Sequence, residues 1–102
     1  MNYKNEVAIE PDKITTRTVA ENYSGRVVLL GVAADAKIDP HMAEAIAVVQ
    51  IIEGKCEFVL DDKKIEMSEG DFVVVPPAIV HSLTPKDGDV KVLLTKLDND
   101  KR

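Results

Sequence analysis

The chain holds two histidines, His41 and His81, and its plentiful carboxylates fall mostly in turns or on faces expected to be solvated. His41 directly follows Asp39-Pro40, and His81 comes a few residues after Val75-Pro76-Pro77-Ala78. If the two proline turns meet at one mouth of a small barrel, the imidazoles could share a divalent ion such as zinc, iron, manganese or nickel. A firm site of that kind draws on three or four protein donors, so a pair of histidines reads equally as polar groups satisfied at a barrel rim. Glu44 could add a third ligand only if a bend between Ala43 and Ile46 turned it to the side of His41, because strand side chains alternate with period two. Cys56 alternates with Phe58 and Leu60 in an apolar run and has no basic neighbour to lower its pKa, so it reads as packing. Ser82 adjoins His81, which on a strand puts the two on opposite faces.

Placing these residues falls to short apolar runs rich in Val and Ile, at 27–32, 45–52, 56–60, 72–75 and 90–94. Turn formers separate them: Asp39-Pro40, Glu53-Gly54, Asp61-Asp62, Glu69-Gly70, Pro76-Pro77 and Lys86-Asp87-Gly88-Asp89. This rhythm predicts an all-β fold, a small antiparallel barrel or sandwich. The stretch EFVLDDKKIEM at 57–67 is expected to form a hairpin that turns at Asp61-Asp62. Gly54 and Gly70 each follow a glutamate and are expected to reverse the chain. The runs IAVVQII and FVVV are apolar on both faces and need cover outside the barrel. A second copy of the chain is the expected cover, giving a homodimer, with an N-terminal segment as the alternative. Residues 1–25 are expected to supply an arm and one or two strands, 26–97 the barrel, and 98–102 a frayed tail.

Composition excludes several classes of partner. Thirteen Lys and Arg stand against 18 Asp and Glu, for a net charge of −5, and the basic residues are scattered. With two Phe, two Tyr and no Trp, the chain has neither the charge nor the stacking platforms for nucleic acid. No uncharged apolar run approaches the roughly 20 residues of a membrane helix. The single cysteine cannot form an intramolecular disulfide, and the start MNYKNEVAIE lacks the apolar core of a secretory signal. Both features predict a reducing, cytoplasmic setting.

Two segments carry a family resemblance. PHMAEAIAVVQIIEGK (residues 40–55) and GDFVVVPPAIVHSLTP (residues 70–85) resemble the paired motifs of the cupin superfamily, G-x5-H-x-H-x3-E-x6-G and G-x5-P-x-G-x2-H-x3-N. Gly70, Pro76 and His81 keep the spacing of the second motif, with Ala78 and Pro85 in place of its later glycine and asparagine. His41 and Gly54 keep the frame of the first, whose leading glycine falls on Asp35. Fifteen residues, 55–69, separate the motifs, as in compact members. The resemblance covers roughly residues 26–97 and implies a double-stranded β-helix, or jelly roll.

Metal-binding members use two histidines and a glutamate from the first motif and a histidine from the second. Here Ala43 and Ala47 stand at the second histidine's and the glutamate's positions, so only His41 and His81 remain. The resemblance therefore implies an incomplete metal site. With Val49 and Ile51 following on the same parity, the expected interior is either a small apolar pocket bounded by His41, Ala43, Ala47, Val49, Ile51 and His81 or a space that larger neighbours fill. A barrel of this kind is expected to bind a small molecule with weak catalysis or none. The alternative is a metal-dependent oxygenase, isomerase or decarboxylase acting on a small organic acid or sugar, in which Glu44 or water completes the ligand set.

Overall fold

The computed structural model describes residues 1–98, so the expected frayed tail lies, beyond Asp98, outside the described residues. After a short 3-10 turn at Tyr3–Asn5 come β1 (Ile14–Asn22), β2 (Gly25–Val32), β3 (Ile38–His41), β4 (Ile46–Leu60), β5 (Lys63–Ser68), β6 (Phe72–Val75) and β7 (His81–Leu97). Every pairing is antiparallel.

The two long strands make the barrel. The first half of β4 pairs with the last part of β7, from Ile46 opposite Leu97 to Ile51 opposite Val92. Its second half pairs with the first part of β7, from Lys55 opposite Lys86 to Leu60 opposite His81. On the first sheet β7 continues into β2 and β1, and β6 lies along the other edge of β4. On the second, β5 flanks β4 and β3 flanks β7. Two sheets that share two folded strands form the expected jelly roll.

The bends in those strands correct two expectations. Gly54 does not reverse the chain, and the segment 86–89 is not a hairpin turn; each is a bulge in a strand that runs on. Positive φ values at Gly54 (+92°), Asp87 (+62°) and Gly88 (+140°) mark them, and the register of β4 against β7 slips on either side of Glu53. A bulge re-aims a strand because one extra residue breaks the alternation of faces. The buried positions of β4 accordingly change from odd (Ala47, Val49, Ile51) to even (Cys56, Phe58) across Gly54. In β7 they change from Leu83 to Val90 and Val92. A Cβ at residue 54 would stand 2.3 Å from the Asp89 carbonyl oxygen, so both the dihedral and the close approach require glycine. Gly70, at φ +96°, does sit in a turn.

The hairpin between β4 and β5 forms as expected, with Leu60 opposite Lys63 and Asp61-Asp62 between them. Inside the barrel, Val32, Val49, Phe58, Leu83, Val90 and Val92 belong to one apolar cluster. Outside it, Val7 of the N-terminal arm buries Ile52 and Leu29, so part of the outer face of β4 is covered from within the chain. The outer face of β6 keeps Phe72 and Val74 exposed.

Candidate ligand-binding cavity

One end of the barrel is hollow. A cavity of about 240 Å³ opens between β3, the loop after it, and the facing parts of β4 and β7. Small side chains make the space: Ala43 and Ala45 in the irregular segment between β3 and β4, and Ala47 at the start of β4. Larger apolar groups close it, among them Leu30, Ile38, Val49, Phe58 and Leu94. At roughly 30 Å³ per water-sized group, the volume suits a molecule of about eight such groups. Natural cores tolerate few voids of this size, and an apolar one lined by alanines is open to an apolar occupant.

His41 and His81 meet at the rim. They are direct partners in the β3–β7 pairing, and their ring centroids lie 4.2 Å apart. His81 also stacks near Phe58, with centroids 6.0 Å apart and planes inclined by 24°. Each ring is pinned the same way: His41 Nδ1–H donates to the Asp39 carbonyl and His81 Nδ1–H to the Ile79 carbonyl, both at 2.9 Å. A carbonyl only accepts, so in the neutral rings the hydrogen sits on Nδ1 and each Nε2 carries a lone pair. Burial lowers the pKa of His81, and the neighbouring charges of His41 and Lys96 push the same way against the hydrogen bond to Ile79.

The structure brings together His41, Ala43, Ala47, Val49 and His81 around the cavity, and it leaves two predicted residues out. Ile51 is fully buried in the core but does not border the space, because the three small residues hollow the barrel only near its mouth. Glu44 lies in the bend after β3, which exists as the sequence allowed, yet it is not among the lining residues. Ser82, expected on the opposite face from His81, borders the cavity too. At the start of β7 it is flanked on one side only, by Val59 of β4, whereas His81 is held between His41 and Leu60.

Several lining residues lie outside the expected set, Ala45, Phe58 and Leu94 among them, and the charged one is Lys96. The signal was present: Val90, Val92, Leu94 and Lys96 share one parity of β7, and the first three face inward. Lys96 stands directly opposite Ala47 in the β4–β7 register.

As a metal centre this donor set falls short. Among the described residues no group of three or more His, Cys, Asp or Glu converges, and the cavity offers two imidazoles beside an ammonium. A tetrahedral site needs more ligands than two, and a lysine cation nearby opposes a second positive charge. The residues present therefore do not fit the divalent ion that the fold family implies. Cys56 supplies no reactive thiol either, since burial and the charges of Glu66 and Asp71 push its pKa to about 11.

Solved structures share this architecture. A conserved protein of unknown function from Streptococcus pyogenes superposes with a TM-score of 0.89 at 24% identity, over 98% of this chain and 87% of that one. A cupin superfamily protein from Desulfitobacterium hafniense gives 0.82 at 18%, over 90% and 84%. KdgF from Halomonas sp. gives 0.78 at 24%, over 98% and 93%. No curated protein matches the chain. At these identities the likeness establishes the double-stranded β-helix fold and nothing finer. The family model described as "Cupin domain" matches residues 26–96, the folded strands and both histidine-bearing rims included, and on that match the chain belongs to the cupin family.

Proposed function

We propose that this cupin barrel binds a small, largely apolar molecule in the cavity beneath His41 and His81, and that it does so without a metal ion. The observation that carries the reading is the cavity itself: about 240 Å³ bordered by Ala43, Ala45 and Ala47, with a lining that is mostly apolar. Sites of this type gain affinity from apolar burial and orientation from a few polar contacts. The two Nε2 lone pairs are suited to accepting hydrogen bonds from a hydroxyl or amide of the occupant.

Alanine methyl groups report the cavity directly. In protein labelled at alanine methyl carbons, titration with a panel of small alcohols, ketones and carboxylic acids is expected to shift the Ala43, Ala45 and Ala47 resonances saturably for at least one member. Methyls that stay unmoved by every member at millimolar concentration would overturn the reading.

A further inference from the structure

We infer that the occupant of this cavity is an anion, a small aliphatic or aromatic monocarboxylate whose carboxylate pairs with Lys96 while its apolar part fills the space beside Ala43, Ala45 and Ala47. The inference rests on the small-molecule reading above and specifies the ligand's charge. Among the described residues that line the cavity, Lys96 is the one Lys, Arg, Asp or Glu. No Asp or Glu is among the described lining residues, in a chain whose net charge is −5, so the sign of the charge inverts there.

Among the described residues, no carboxylate pairs with that ammonium. Six lysines and arginines form ion pairs among the described residues, and Lys96 is not one of them. Its cross-strand neighbours are Ala47 on β4 and Arg26 on β2. Arg26 is a second cation, turned toward Glu21 at 3.9 Å, and like charges placed directly opposite across two strands repel. A partly buried cation beside another cation and an apolar cavity is a poor arrangement for an empty barrel and a good one for a carboxylate, because a charge-assisted hydrogen bond strengthens where water is excluded. The register places the ammonium stem alongside the Ala47 methyl, at the boundary between the polar rim and the apolar space. An amphipathic monoanion matches both sides of that boundary.

A matched pair of probes separates charge from shape. Isothermal titration of the protein with hexanoate and with 1-hexanol is expected to show the carboxylate binding about tenfold or more tightly than the alcohol. In Lys96→Met that preference is expected to vanish while the alcohol still binds, and in Lys96→Arg it is expected to persist. Thermal melting verifies folding of each variant, and Lys96→Gln replaces the methionine variant if that one does not fold. Equal affinity for the two probes, or an unchanged preference in Lys96→Met, would overturn the carboxylate assignment and leave the small-molecule cavity standing. Binding of neither probe to the wild-type protein would overturn both.

Discussion

His81 sits between Phe58 and His41, half-buried, with its Nδ1 hydrogen committed to the Ile79 carbonyl. Burial is the largest influence on its titration, and it holds the pKa below the ordinary value of 6.5. The unfolded chain carries no such penalty and takes up a proton first as the pH drops. More protons bound in the unfolded state means that stability rises with pH. The contribution of a neutral His81 is thus complete above about pH 6.5 and is lost as the pH falls to the lowered folded value. Melting temperatures recorded from pH 8 to pH 5 are expected to decline less steeply for His81→Gln than for the wild type. Parallel profiles would show that His81 is not the group responsible. The meeting of the two imidazoles was legible in the sequence, because proline turns and motif spacing put both at one rim. Lys96 was equally legible from the parity of Val90, Val92 and Leu94, but a lysine near the end of a strand reads as solvated until the cavity beside it is seen.

The elements that carry these residues depend on a few backbone positions with left-handed dihedrals. Ala78, between β6 and β7, has a φ of +63°, at the position where the second cupin motif has glycine. Its N–H donates to the Ala43 carbonyl at 2.7 Å, which ties the approach to His81 to the loop that forms the cavity roof. A residue with a Cβ pays about 1–2 kcal/mol for that conformation, and glycine avoids it while giving back part through a freer unfolded chain. Urea denaturation of Ala78→Gly is therefore expected to show a gain of roughly 0.5–1 kcal/mol, and a loss of stability would contradict the argument. Hairpins closed by adjacent turn residues, such as that at Asp61-Asp62, are local and read well from sequence. The bulges at Gly54 and at Asp87-Gly88 are not local: a glycine between two apolar runs is compatible with reversal or with a kink. Only the partners that each half of β4 and β7 finds decide between them.

At the scale of the whole molecule, two sheets folded from shared strands leave a barrel packed at one end and hollow at the other. The N-terminal arm covers Ile52 through Val7, so part of the outer apolar face that suggested a second subunit is satisfied within the chain, while Phe72 and Val74 stay exposed on β6. The fold was readable because strand rhythm and motif spacing agree. The cavity was only half readable, since Ala43 and Ala47 announce lost volume but not which neighbours decline to fill it. The central claim is that this hollow serves an organic ligand with Lys96 as its positive charge, and that two imidazoles do not hold an ion there. Metal retention tests it most directly: untagged protein and the His41→Ala, His81→Ala double variant are each incubated with zinc, iron, manganese or nickel, desalted, and assayed for metal. The account predicts that the wild type retains no more than the double variant, far below one ion per chain. One ion per wild-type chain, lost in the variant, would contradict it.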